Sequence, residues 1–358
     1  MAEQPDPSAR VLAVLPFVAM TLVAVMDIAS GPGAGLLALV SLGPAFSGLV
    51  GGWRRTAVVG ACALALCVGL GFYNGLFVQK RGFSAMASVA GVTVAGLVAA
   101  RMRQRREAEL AGVRTIAEVA QRVLLRPVPK YAGPLRIAVS YTSAVADARI
   151  GGDLYEVVAS RHGVRAIIGD VQGKGLDAVE TAAVVLGAFR EAAYDEPDLT
   201  AVGERLERAL ARHLSGEMFV TAVLAEAAGP SITLLNYGHP APLRVRPDGT
   251  VDYLVPPERA LPLGLAAHGA EPPVGHTSDF APGDQILFYT DGVAEARDDA
   301  GRFYPLDHRA FLLKDPDPEI ALDAIRRDLA EHLQGPGHDD AAMLLLRYRT
   351  PGPPAASG

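Results

Sequence analysis

The chain has 358 residues, half of them hydrophobic, and a formal charge of −6 at neutral pH. That length accommodates two domains, and the apolar share exceeds what an ordinary soluble protein carries. Nine basic and three acidic residues in 1–106 leave 24 and 36 for the remainder, so the C-terminal part carries −12, which argues against a nucleic-acid partner.

The apolar excess lies at the N-terminus. Val11 to Trp53 contains no Lys or Arg and a single acid, Asp27, while Thr56 to Gln79 and Gly82 to Ala100 contain no charge. A bilayer crossing needs roughly 20 apolar residues. The first run is long enough for two crossings divided at Gly31-Pro32-Gly33, so four transmembrane helices are predicted near 11–29, 34–52, 56–78 and 83–100. With both ends on one side, seven flanking arginines (Arg10, Arg54, Arg55, Arg101, Arg103, Arg105, Arg106) face Lys80 and Arg81 across the membrane. Basic residues collect on the inner side, so the expectation is a multi-pass anchor in the cell membrane with a cytoplasmic C-terminal domain. A recurring apolar pattern does not fit a cleaved signal peptide. Cys62 and Cys67 both fall in the third predicted span, which excludes a cysteine-based zinc site, disulfide or thiol nucleophile from the soluble part.

Residues 101–125 are rich in helix formers, and Val113, Ile116, Val119, Ala120, Val123 and Leu124 recur at steps of three and four. That spacing predicts an amphipathic connecting helix. Its stripe has two readings: packing on the next domain, or pairing with a second copy as a homodimer. Arg126-Pro127-Val128-Pro129 ends it. The predicted organisation is a membrane anchor at 1–106, a helical linker at 107–129, a catalytic domain at 130–349 and a disordered tail at 350–358. Within the third segment, RIAVSYT, LYEVVAS, VRAIIGDV, FVTAVLAE, SITLLNYG, LRVRP, VDYLV, QILFYTDG and AMLLLRYR read as strands. Helices are predicted near 176–193, 198–214 and 317–333. Strand runs with helices grouped between them indicate an α+β sandwich, not alternating βαβ units.

Four aspartates sit where such a strand meets a turn: Asp153 in GGDLYE, Asp170 in IIGDVQGKG, Asp291 in LFYTDGVAEA, and Asp339 beside Asp340 in GHDDAAMLLL. Carboxylates converging at strand ends repel one another and lose hydration, and a divalent cation removes both costs. An oxygen-only set suits Mg²⁺ or Mn²⁺ better than zinc.

In this order and with these neighbours the motifs resemble the metal-dependent protein phosphatases of type 2C, in the bacterial branch of stage II sporulation protein E (SpoIIE)-like and sigma-regulating phosphatases. The resemblance rests on AQRVLLRPVP, GGDLYE, GDVQGKGLDA, FVTAVLAE, NYGHPAPL, LPLGL, YTDGVAEA and HDDAAMLLL and covers roughly 118–348. It implies two packed antiparallel β-sheets flanked by helices (an αββα sandwich) with two Mn²⁺ or Mg²⁺ ions at one end. It implies further that Asp170 is shared by both metals, with the Val171 carbonyl as a second donor, and that Asp153, Asp291 and Asp339 are the other carboxylate ligands. Asp340 falls to a supporting place around that ligand set. The implied chemistry is hydrolysis of phosphoserine or phosphothreonine by a dimetal-activated water, with Asp170 and Asp291 catalytic through it. The implied substrate is a phosphorylated anti-sigma-factor antagonist of STAS fold.

Related sequences end the first motif with Asp, where this chain has Glu156, which keeps the charge on a longer arm in the same supporting shell. Arg149 could contact phosphate, and His239 and His338 are candidate proton donors, His239 being better suited to fixing its loop. GDVQGKG lacks the spacing of a phosphate-binding loop, and its glycines serve a tight turn from strand to helix. Two other readings compete: a non-catalytic membrane receptor that keeps the domain for partner binding, and a GGDEF-type cyclase remnant, which leaves NYGHP, YTDG and HDD unexplained.

Overall fold

The uncharged N-terminal runs fold as helices. The computed structural model describes residues 7–31, 35–75, 81–142, 151–213, 218–266, 269, 271–334 and 340–349, in two units, Met1–Gly112 and Val113–Gly358. In the first unit α1 is Pro7–Ser30, a 3-10 turn at Leu36–Ser41 leads into α2 at Leu42–Val50, α3 is Trp53–Tyr73, and α4 begins at Arg81. Met20, Val40, Val59, Ala63, Cys67 and Val89 form its interior. Gly48 lies against Gly96 so closely that a Cβ at position 48 would sit 2.8 Å from the Gly96 Cα, the small-residue packing that lets helix backbones approach in an apolar medium. Asp27, the one acid of the apolar runs, accepts a hydrogen bond from Asn74 Nδ2 at 2.8 Å.

Two expectations change here. Among the described residues only Trp53–Tyr73 and Gly82–Glu109 are long and apolar enough to cross a membrane, while Val14–Ser30 and Leu36–Val50 are shorter apolar helices, so the structure supports two of the four predicted spans on length and composition. The second prediction shortens because Pro44 lacks an N–H to bond back to Val40. The α-helix therefore starts at Leu42, with Pro44 in its first turn, where proline is tolerated. The predicted fourth span and linker are also not separate helices: α4 is continuous over Arg81–Leu124.

The second unit opens with the last turns of α4. The six-stranded sheet has the order β1 (Tyr131–Ala132), β2 (Leu135–Thr142), β11 (Ala341–Tyr348), β10 (Gln285–Tyr289), β7 (Leu243–Val245) and β8 (Val251–Tyr253). The five-stranded sheet has the order β3 (Leu154–Ser160), β4 (Gly163–Val171), β5 (Val220–Ala228), β6 (Ser231–Tyr237) and β9 (His276–Asp279). Ladder pairings are antiparallel throughout. Successive side chains alternate between two interiors, as a period of two requires. Tyr155, Val157, Ile168, Val223 and Phe288 fill the space between the sheets, while Leu154, Val158, Ile167 and Leu224 face α5 (Leu176–Asp195) and α6 (Leu199–His213). The outer face of the other sheet is covered by α7 (Asp291–Ala294), α8 (Leu306–Arg309) and α9 (Pro318–Leu333). The order helix, sheet, sheet, helix is the expected αββα sandwich.

The α5 helix buries Val185, Leu186 and Phe189 completely, each contributing about 1.5–3 kcal/mol. Its C-terminal carbonyls, those of Ala192, Ala193 and Glu196, accept from the wholly buried Arg165 of β4, which also pairs with Glu226 of β5. Asp317 caps α9 by accepting from Glu319 N, with Pro318 in the first turn. The linker stripe divides: Ala120 and Leu124 pack against Val179 of α5, whereas Ile116, Val119 and Val123 are exposed.

Candidate metal centre

The topology brings the acidic turns together. The β3/β4 pair is antiparallel with Leu154 opposite Gly169, so Asp153, just before β3, lies beside Asp170 near the end of β4. The β10/β11 pair is antiparallel with Tyr289 opposite Met343, so Asp291, two residues past β10, and Asp340, just before β11, share the other sheet's matching end. Carboxylate oxygens of Asp153, Asp170 and Asp291 all lie within 4.8 Å of one another. They floor a cavity of about 460 Å³ that Val171, Thr221, Glu295 and Asp340 also line. Lys174 is the one cation among its described lining residues, against five carboxylates. That imbalance in a partly dry site calls for cations.

Asp153 carries most of the strain. Burial first, and then the neighbouring Asp170 carboxylate, push its pKa well above the ordinary carboxylate range, opposed by a hydrogen bond from Thr290. The Thr290 hydroxyl donates to Asp153 Oδ2 at 2.9 Å and accepts from Ala342 N at 3.0 Å, linking the two sheets at the cluster. Replacing Thr290 with Val removes both bonds inside a buried site. The variant is expected to bind Mn²⁺ about 10–100-fold more weakly in a calorimetric titration, with a stability cost of about 1–3 kcal/mol.

Asp340 turns its carboxylate to the chain: Oδ2 accepts from Gly151 N at 2.8 Å and from the Tyr141 hydroxyl. Gln121, near the end of α4, donates to the Tyr141 hydroxyl at 2.8 Å and to the Gly151 carbonyl at 3.1 Å. This network therefore ties the linker's last turns to the GGD turn. Gly292 follows Asp291 at a close approach, because a Cβ there would lie 1.8 Å from the Asp340 carbonyl oxygen. The turn after Asp170 uses Gly173 at φ 98° and Gly175 at φ 91° before α5 starts, conformations that side-chain-bearing residues rarely adopt.

Other sequence candidates sit as follows. Val171 lines the cavity, and its carbonyl packs beside Gly152. Glu156 points along β3 to Arg190 of α5, whose Nε donates to it at 2.5 Å, and Arg190 also donates to the Leu124 carbonyl. His239 is buried, with its pKa pushed down to about 3 by burial. Its Nδ1 contacts the Thr221 hydroxyl at 3.0 Å, and its backbone N–H and carbonyl are both held by Asn236, so it fixes the loop and stays neutral. Asp339, His338 and Arg149 lie outside the described residues. Thr290, Tyr141 and Gln121 were not anticipated. The Thr in YTDG and the Gln in AQRVLL stood inside motifs already singled out, and only the fold shows what they touch.

The family model for stage II sporulation protein E (SpoIIE) matches residues 160–349. The RsbU and RsbW domains of a Mycobacterium tuberculosis protein are 25% identical over 64% of this chain and 63% of that one, with a TM-score of 0.51. The SiaA type 2C phosphatase domain of Pseudomonas aeruginosa is 20% identical over 68% of this chain and 98% of its own, with a TM-score of 0.57. The phosphatase domain of Bacillus subtilis SpoIIE, solved with a fragment of its regulatory domain, is 17% identical over 61% and 65%, with a TM-score of 0.50. The chain thus spans less than two thirds of the mycobacterial and Bacillus subtilis chains it matches. Matched over more than half its length, the chain belongs to the SpoIIE family, and its second unit has the type 2C phosphatase fold.

Proposed function

We propose that this protein is a membrane-anchored, metal-dependent serine/threonine phosphatase that hydrolyses phosphoserine or phosphothreonine in a partner protein. The observation that carries the reading is the convergence of Asp153, Asp170 and Asp291 at the floor of an open cavity. Among the described residues the donors are all oxygens, with no His or Cys in the cluster, which fits two Mg²⁺ or Mn²⁺ ions. Asp153, Asp170, Asp291, the Val171 carbonyl and Asp339 would hold them, with Asp340 in support. When bound, such ions lower the pKa of water for in-line attack on phosphorus and offset charge on the phosphoryl oxygens. The chain's own residues do the rest: Thr290 aims Asp153, the Gly173 to Gly175 turn places Lys174 on the cavity wall, and neutral His239 orients Thr221 without donating a proton.

For the substrate we infer a phosphorylated anti-sigma-factor antagonist of STAS fold. The mycobacterial structure that combines RsbU and RsbW domains supports that setting. For the setting in the cell we infer a multi-pass anchor at 1–106 with four crossings, a linker at 107–129 and a cytoplasmic catalytic domain at 130–349, on the strength of the uncharged runs and the arginine distribution. The full chain in detergent should release phosphate from phosphoprotein with Mn²⁺ or Mg²⁺ and stop when EDTA is added. Equal release in EDTA refutes the assignment. Comparing phosphoproteomes of cells carrying wild-type protein or Asp291→Asn identifies the substrate.

The linker also supports a homodimer. Ile116, Val119 and Val123 are 63, 56 and 72% exposed, on a spacing that suits a paired helix seam. Val119→Glu with Val123→Glu should shift the detergent-solubilised chain from dimer to monomer mass in light scattering.

A further inference from the structure

At the end of the six-stranded sheet remote from the aspartates lies a second cavity of about 470 Å³, formed where β7 ends, β10 begins and β11 leaves the sheet. It falls in the range of small-ligand sites, roughly 300–1,000 Å³. Gln285 opens β10 here and Asp291 follows the strand's other end, so six residues of extended chain separate the two cavities by roughly 20 Å.

The lining is basic. Arg246, Lys314 and Arg347 contribute three positive charges against one carboxylate, Asp248. Asp248 is already engaged by its own turn, accepting from Thr250 N at 2.8 Å. Lys314 has no carboxylate within ion-pair distance among the described residues. Arg347 donates to the Asp315 carbonyl at 2.6 Å and stands directly across from Arg136 of β2. Its pKa is held below the usual arginine value by burial first, with the Asp315 carboxylate opposing and the Arg136 charge adding to the effect. An anion in the cavity would oppose that lowering.

Gln285, the first residue of β10, also lines the cavity. Its side chain is 96% buried on the residue's 4% exposure. Nε2 donates to the Leu313 carbonyl at 2.7 Å, next to Lys314, which leaves Oε1 as a buried acceptor with no partner. Buried polar atoms are nearly always satisfied. The Nε2 bond fixes the segment that carries Lys314 at the cavity wall.

We propose that this cavity is a binding site for a small, multiply charged phosphate compound, held by Arg246, Lys314 and Arg347. Three cations spread around a concave wall suit a tetrahedral dianion better than a planar carboxylate, and the enclosure favours a small molecule over a protein segment. The site is separate from the metal centre and does not depend on phosphatase activity.

The test is calorimetric titration of the full chain in detergent with pyrophosphate, in EDTA so that the aspartate cluster holds no cation. Wild type and Asp291→Asn should both show one saturable site. Arg246→Ala combined with Lys314→Ala, both exposed positions that preserve the fold, should weaken it at least ten-fold. Arg208→Ala with Arg326→Ala, which removes the same charge elsewhere, should leave it unchanged. Absence of saturable binding overturns the proposal, as does equal loss in the control pair or in Asp291→Asn. Citrate binding as tightly as pyrophosphate overturns the phosphate assignment.

Discussion

Asp170→Ala should lower metal-dependent phosphate release by the full chain by about three orders of magnitude, and Asp291→Ala by a similar factor. Each removes a donor from a cluster whose oxygens lie within 4.8 Å of one another. Lewis-acid stabilisation is worth several kcal/mol, and about 4 kcal/mol corresponds to about a thousand-fold in rate. Asp153→Asn should be inactive as well, but with an opposite effect on stability. The Asp153 pKa is raised in the folded state above its unfolded value. The unfolded chain therefore loses that proton first, and the metal-free fold loses stability as pH rises from the unfolded pKa towards the folded one. At neutral pH in EDTA, Asp153→Asn should melt higher than wild type, and saturating Mn²⁺ should reverse the order. A variant that melts lower than wild type under both conditions would mean the charge is not held against repulsion. This is the stability cost of a functional site in measurable form.

The second large effect is on stability alone. Arg165 is wholly buried, bonded to Glu226 and to three carbonyls at the C-terminal end of α5. Its guanidinium meets the negative end of the helix dipole. Arg165→Ala strands Glu226 and leaves those carbonyls without a donor. Breaking a buried pair this way costs about 3–5 kcal/mol, a fall in Tm on the order of 10 °C for a domain of this size. Arg165→Met with Glu226→Gln should recover part of the loss, because no uncompensated buried charge remains. Thermal melts of the full chain by circular dichroism separate the two cases, and equal melting of all three proteins would show that the pair carries no net stability.

Much of this was legible from local signals. VRAIIGDV and AMLLLRYR mark β4 and β11 because both faces of these strands are buried and apolar. The helices after Asp170 were visible from their periodicity. What escaped had no local signal: His276–Asp279 is a polar edge strand recognisable only by its pairing with β6, and Tyr131–Ala132 spans two residues. In the apolar N-terminal region, hydropathy reports composition over 34–52 but not the shorter helix there. At the site, the aspartates announced themselves through strand-end turns. Glu156 reads from its motif as a supporting residue around them, yet a register that sends it to Arg190 cannot be read from spacing. Tyr141 and Gln121 reach Asp340 and Gly151 across 199 and 30 residues of chain, separations at which pattern says nothing.

The strand order has a consequence for biosynthesis. β11, the last of the described strands in chain order, occupies the middle of its sheet, between β2 and β10, and Asp340 stands at its entrance. A ribosome-bound chain can form the β3/β4 hairpin and with it the pair Asp153 and Asp170, and β10 can pair with β7, but β2 and β10 are joined into one sheet only by residues 341–348. The carboxylates carried by the two sheets are therefore held side by side only once β11 has joined its sheet.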